Sequence, residues 1–358
     1  DFYLINPDGV KIVREQLEER VRNGYITIGV VDELTEYANT RSQRWKAAGA
    51  VLSGCNYRWG LTGTPGGPEK IYGQVKLINP DNVPRSFTQW RYQTMVKITP
   101  FKWIPAYGHE EIIKEAMSPV IRYDKEDLMT IPTPQVVPDY VDLSDEQEKI
   151  TDELIHQLQV MVEDEGVTAS TASSLAQKLL QVSGGVVRGD EGNVRVNCQP
   201  KLDRLEHWLR KTPAKKVVFG SFTAINDMLV KEIRNMGFTV AKIDGSVTGG
   251  KRSGIINDFM RNDDIHVLVC HPRTMAFGVE LARADHIICY GPPMAGAFIY
   301  QQMFERLSSS KQEADETFVV HLMSGKQDKV SFANLANGVN IASNIVSIFT
   351  EEFTQRRD

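Results

Sequence analysis

Two adjacent acids, Asp32 and Glu33, follow the strand-like run Ile26-Thr27-Ile28-Gly29-Val30-Val31. Carboxylates at the end of such a strand suit nucleotide chemistry. The first can hold Mg²⁺, directly or through water, and the second can orient or deprotonate an attacking water. The same pair can equally be a solvated loop or a helix cap. About thirty residues on, a second apolar approach ends in Thr62-Gly63-Thr64-Pro65, which by itself reads as a turn. Near the other end, Gln302 lies one helical turn before Arg306, on the same face. An arginine so presented can neutralise charge on a transferring γ-phosphoryl group, or simply be a surface charge. Ser221 and Thr274 are small hydroxyl residues just after strand-like runs. They can hold nucleic-acid phosphates without reading sequence, or they can form turns.

Gly245-Ser246-Val247-Thr248-Gly249-Gly250-Lys251-Arg252 nearly spells the phosphate-binding loop G-x-x-x-x-G-K-[ST]. Arg252 stands where the hydroxyl that ligates Mg²⁺ is required, and a guanidinium repels a cation. The segment therefore reads as a turn, with Lys251 and Arg252 available to a nucleic-acid backbone.

The elements that must position these groups follow an α/β grammar. Val10, Val13, Leu17 and Val21 share a helical face, and a buried strand follows at 26–31. Residues 80–143, rich in proline and aromatics, read as an irregular connection. Ser144-x-x-Gln147 is a capping box that opens a helix, 169–182 form another, and 184–199 read as a hairpin or loop. From 214 onward short apolar runs alternate with helices. The strands expected at 217–219, 238–243, 266–270, 286–290 and 317–321 are near-continuous in apolar residues, as parallel strands buried on both faces must be. The segment 330–350 is apolar at helical spacing and is expected to pack on this second domain.

The 358 residues carry 41 basic and 46 acidic side chains, so any contact with nucleic acid must be local. Four scattered cysteines without a C-x-x-C pair point away from zinc and disulfides and toward a reducing, cytoplasmic setting. No apolar run is long enough to span a membrane, and the start resembles no secretory signal. The absence of an initial Met suggests that the sequence begins inside a longer reading frame.

Taken in order, these segments resemble helicase superfamily two. VVDELTEYANTRSQRWKA (30–47) and LTGTP (61–65) look like motifs II and III, with Thr35 at the place of the family's His. Leu4-Ile5-Asn6-Pro7 looks like motif Ib, and IPTPQVVPDYVDLSDEQ (131–147) like the segment that links the lobes. FGSFT (219–223), KIDGSVTGGKR (242–252), HPRTMAFGVEL (271–281) and YQQMFERLSSSKQ (300–312) look like motif IV, the following Asp-Gly-Ser element, motif V and motif VI. The resemblance is greatest to Swi/Snf-type DNA translocases, in particular the phage-encoded branch, and covers residues 1–328.

The resemblance implies an α/β fold of two RecA-like parallel-sheet lobes joined by a helical and irregular linker, the first lobe incomplete at its N-terminus. The expected division is a partial lobe at 1–110, a linker and insertion at 111–213, a C-terminal lobe at 214–328 and a helical tail at 329–358. It further implies an ATP-dependent motor on double-stranded DNA using ATP and Mg²⁺, in the cytoplasm (of the host, if viral). Asp32 would carry Mg²⁺ through water, and Glu33, Gln302 and Arg306 would serve turnover. Thr62, Gly63, Thr64 and Gly278 would touch the nucleotide, and Ser221, Thr274, Lys251 and Arg252 the nucleic acid. Two features depart from the family: Ser309 replaces a second arginine and Glu280 replaces an asparagine. With no phosphate loop in this sequence, the chain alone is expected to lack turnover. The alternative is a scaffold that keeps the fold and binds nucleic acid without hydrolysis.

Overall fold

The computed structural model describes residues 2–63, 65–99, 102–123, 133–163, 169–189, 191–247, 249–275, 281–294, 296–309 and 311–336. The chain divides into two compact units, Asp1–Tyr123 and Asp124–Asp358.

The first unit runs α1 (Arg14–Arg22), β1 (Ile28–Val31), α2 (Gln43–Leu52), β2 (Tyr57–Gly60), α3 (Pro68–Ile78), α4 (Phe87–Thr94), β3 (Met95–Thr99), β4 (Lys102–Pro105) and α5 (His109–Met117). β1 and β2 pair in parallel, Ile28 beside Tyr57 and Val30 beside Trp59. Leu17, Val21, Val31, Val51, Leu52 and Leu77 form the core against one face of this pair. Gly29 and Gly60 let that face lie close: a Cβ on Gly60 would meet Leu34 at 2.4 Å. Among the described residues the expected buried strand is therefore covered on one side only. Ile28, Val30, Tyr57 and Trp59 are 52%, 54%, 64% and 60% exposed on the other. The described residues within 80–143, expected as an irregular connection, are also largely regular. They hold α4, α5 and an antiparallel hairpin, β3–β4, with Val96 opposite Ile104 and Lys97 opposite Trp103.

The second unit begins with β5 (Gln135–Val141), α6 (Asp145–Glu163), α7 (Ala169–Gly184) and the hairpin β6 (Val186–Gly189)–β7 (Gly192–Arg195). It continues through α8 (Gln199–Arg210), β8 (Lys215–Phe219), α9 (Thr223–Asn235), β9 (Val240–Ile243), α10 (Gly249–Arg261) and β10 (Val267–Cys270). It ends with α11 (Pro272–Met275), β11 (Ala284–Cys289), α12 (Ala297–Glu305), β12 (Phe318–Ser324) and α13 (Gly325–Ala336). Six strands form one sheet in the order β5-β12-β11-β8-β10-β9, and every pairing is parallel. This is an α/β, RecA-like lobe.

The strand period of two divides its core. Val217, Phe219, Leu268, Cys270, Ile287 and Cys289 join one cluster, with Leu179, Phe259, Met303 and Phe332 from the helices. Val218, Val267, Val269 and Ile288 join the other, with Leu205, Leu209, Leu229 and Ile233.

Segment 111–213, expected as linker and insertion, contributes much of this unit. β5 is the sheet's edge strand, and Asp139 ties it to α8 by accepting from Arg204 at 2.6 Å and Trp208 at 2.5 Å. Pro138 fits there because an edge strand leaves backbone positions that need no donor. The capping box forms as expected: Ser144 and Gln147 exchange bonds at 3.1 and 3.2 Å. α13 begins the expected tail, and Phe332 and Leu335 enter the core. Residues 337–350 lie outside the described residues.

A buried ion pair closes the lobe. Lys201 of α8 meets Asp328 of α13 at 2.8 Å, their side chains 1% and 0% exposed. Asp328 also accepts from the Ser183 hydroxyl and the Ser324 amide, at 2.8 and 2.9 Å. Removing one partner leaves a buried charge unpaired, which costs several kcal/mol. Asp328→Ala should therefore destabilise the unit by about 3–5 kcal/mol in urea unfolding; a loss of less than 1 kcal/mol would show that the pair is not buried as described.

Candidate nucleotide and nucleic-acid sites

In the first unit the candidate residues sit at the carboxyl ends of adjacent parallel strands. β1 leads into Asp32 and Glu33, and β2 into Leu61 and Thr62. The pairing extends past the strands: the Leu61 amide donates to Val31 at 2.8 Å and the Leu34 amide to Leu61 at 2.9 Å. The Thr35 and Thr62 hydroxyls lie 2.7 Å apart, so the two segments singled out from sequence are joined directly. Gly63 follows in the same turn, and Thr64 lies outside the described residues.

Glu33 has φ +49°, the left-handed region, and is the sole non-glycine residue there among those described. A side chain in that conformation costs about 1–2 kcal/mol, and such strain collects at functional sites. The Asp32 carboxylate accepts the Glu33 amide at 2.9 Å and is otherwise exposed to solvent. Among the described residues no group of three or more His, Cys, Asp or Glu could hold a metal alone.

In the second unit the candidates lie on the loops after β8, β9, β10 and β11. The sequence runs outward from β8 to β9, returns to β10, then crosses to β11, so the carboxyl edge near β8 is a topological switch point. Gly220, Ser221, Phe222, Tyr290 and Pro292 line a crevice there. Ser221 donates to the Pro292 carbonyl at 2.9 Å and accepts the Met294 amide at 3.0 Å. Thr274 donates to the carbonyls of His271 and Ile243 at 2.7 and 3.2 Å. Arg252 donates to the Thr274 carbonyl. Three of the four residues expected on nucleic acid thus lace the loops together, while Lys251, in the first turn of α10, is exposed. Residues 245–247 form a turn and 249–252 open α10, and Arg252 has a structural partner instead of a phosphate-loop role.

Sequence reasoning missed Asp244 and His271 on the same edge. Burial would raise the Asp244 pKa, but hydrogen bonds from Lys242 and Ser246 outweigh it and hold the carboxyl at about 2. Burial lowers the His271 pKa, and Arg273 adds to the effect against the Ser221 carbonyl and Asp244. Each lies within a segment already singled out, but nothing in spacing reveals their partners.

Arg306 caps the C-terminus of α12 and folds back on Gln302, donating to its side-chain oxygen at 2.9 Å and its carbonyl at 3.2 Å. Gln302 is buried, so the guanidinium is held from one side by a fixed group. The expected pairing on one helical face is present. Ser309 accepts the Lys311 amide at 3.2 Å in the following turn. Gly278 and Glu280 lie outside the described residues.

Residues 200–311 match the family described as helicase conserved C-terminal domain. A Caenorhabditis elegans protein, the SWI/SNF-related matrix-associated actin-dependent regulator of chromatin subfamily A containing DEAD/H box 1 homolog, is 28% identical over 90 residues. That match covers 25% of this chain and 9% of that protein. The DNA repair protein rad8 of Schizosaccharomyces pombe is 30% identical over 94 residues, 26% of this chain and 8% of its own length. The matches thus span about a tenth of these relatives. Among solved structures, the C-terminal part of the Fun30 ATPase domain superposes with a TM-score of 0.54 at 16% identity, covering 63% of this chain and 99% of that one. This likeness supports the fold.

The left-handed Glu33 gives a direct check on the geometry. Glu33→Gly should be more stable than Glu33→Ala by about 1 kcal/mol, because glycine adopts positive φ without strain. Equal thermal midpoints for the two variants would contradict the described backbone.

Proposed function

We propose that this chain supplies the acidic pair and the C-terminal lobe of an ATP-dependent translocase or remodeller of Swi/Snf type acting on double-stranded DNA. The observation that carries the reading is the junction of Asp32, strained Glu33 and Thr62 at the ends of two parallel strands. The helicase C-terminal match over 200–311 and the chromatin and DNA-repair names of the relatives support it. Bound Mg²⁺–ATP supplies the phosphoryl group and neutralises its charge. Asp32 would hold the ion through water, and Glu33 would orient the attacking water. Thr62 holds the acidic turn in register through Thr35. Arg306, steadied by Gln302, is assigned to charge on the γ-phosphoryl group. Lys251 supplies an exposed cation for a phosphate backbone.

One observation favours the second reading, a nucleic-acid-binding scaffold without turnover. Ser309, where the resemblance places another arginine, caps a turn through its hydroxyl. A single assay decides between the two. In the full-length gene product, Glu33→Gln should lower DNA-stimulated phosphate release by about 10²-fold or more while ATP binding persists. Unchanged release would remove Glu33 from the reaction, and no release from the unsubstituted protein would leave the scaffold.

A further inference from the structure

The stretch 82–109 contains Arg85, Arg91, Lys97 and Lys102 and no Asp or Glu. About one residue in eight of the chain is acidic, so 28 residues without one are a local departure in a protein of net charge −5. The same stretch carries six aromatic residues. It folds as α4 followed by the hairpin β3–β4, and its base is fixed. Trp90 donates to the Pro68 carbonyl at 2.8 Å, Tyr72 to the carbonyls of Pro84 and Arg85, and the Ala106 amide to Thr94 at 2.9 Å.

On that base Phe87, Arg91, Tyr92 and Trp103 form one continuous cluster. The Arg91 guanidinium lies 4.6 Å from the Phe87 ring and 5.2 Å from the Trp103 ring. Tyr92 meets Trp103 edge-on at 5.3 Å, and Lys97 stands opposite Trp103 across the hairpin. Tyr92 is 69% exposed, and Tyr107, just past β4, is fully exposed. Among the described residues no acidic side chain pairs with Arg85, Arg91 or Lys97.

We propose that α4 and the β3–β4 hairpin form a second nucleic-acid contact, outside the segments assigned to the motor, which takes a single strand through base stacking and phosphate pairing. Exposed rings suit base faces, which every sequence offers. The interleaved cations suit the backbone between those bases. In a duplex the base faces are stacked on one another and unavailable, so the cluster favours unpaired strands. This inference rests on local charge and ring placement alone and does not depend on ATP turnover.

The test is fluorescence anisotropy of the whole chain, without nucleotide, on a mixed-sequence single-stranded DNA and on its duplex across a salt series. Tyr92→Ala and Tyr107→Ala, both at exposed positions, should each weaken single-strand binding about fivefold or more and weaken duplex binding less. Lys97→Ala should lower the slope of log affinity against log salt by about 0.7. Thermal midpoints check that the variants fold. Single-strand affinity unchanged in all three would overturn the proposal. Equal losses on duplex and single strand would overturn the stacking contact. Unchanged nucleic-acid binding, with self-association lost in the variants, would make the cluster a protein-docking face and likewise overturn it. Absence of DNA-stimulated phosphate release would sink the motor reading and leave these results untouched.

Discussion

A parallel strand exposes apolar side chains on both faces, and both must be covered. The second unit meets that constraint on its inner strands β8, β10, β11 and β12, while Val136 and Tyr140 of the edge strand β5 stay 49% and 61% exposed. Helices α6, α7, α10, α12 and α13 supply one cluster, and α8 and α9 the other. With the faces closed over these inner strands, their polar side chains reach solvent at the strand ends. The carboxyl edge therefore collects Ser221, Asp244, His271 and Thr274; bonds from Ser221 to Pro292, from His271 to the Ser221 carbonyl and from Thr274 to the Ile243 and His271 carbonyls hold four loops in one arrangement. The charges that do enter the interior are held: Lys215 donates to the Phe259 and Asn262 carbonyls, and two other lysines form ion pairs. Lys201 with Asp328 and Lys216 with Asp285, each at 2.8 Å, join elements far apart in sequence.

The same constraint makes the first unit different. One face of β1–β2 is packed so closely that Gly29 and Gly60 leave no room for a side chain. The other face presents two aliphatic and two aromatic side chains to solvent among the described residues. The acidic turn is nevertheless well determined, because backbone pairing from Val31 through Leu61 to Leu34 fixes it independently of that open face. A residue held at positive φ persists only when its surroundings over-determine it. The bond between Thr35 and Thr62 is part of that determination.

Much of this was legible in the sequence. The strands from 215 to 324 stand out because burial on both faces leaves unbroken apolar runs, and the capping box at Ser144 and Gln147 is purely local. β5 escaped because an edge strand alternates and tolerates Pro138. α4 and the β3–β4 hairpin escaped because their aromatics pack on cations instead of following a helical or strand period. The candidate residues were legible by type and order. Their partners were not: nothing in spacing tells that the Thr274 hydroxyl turns to Ile243, or that Glu33 adopts positive φ.

The proposed role of Arg306, positioned by buried Gln302, is to act on the nucleotide as part of a DNA-driven motor. It is tested by steady-state phosphate release from the full-length gene product at saturating ATP and duplex DNA, comparing Arg306→Ala with the unsubstituted protein and monitoring nucleotide affinity in parallel. The account predicts a loss of about 10³-fold or more in turnover with nucleotide affinity little changed. Turnover within a few-fold of the unsubstituted protein would contradict it, and Arg306 would then be no more than the cap of its helix.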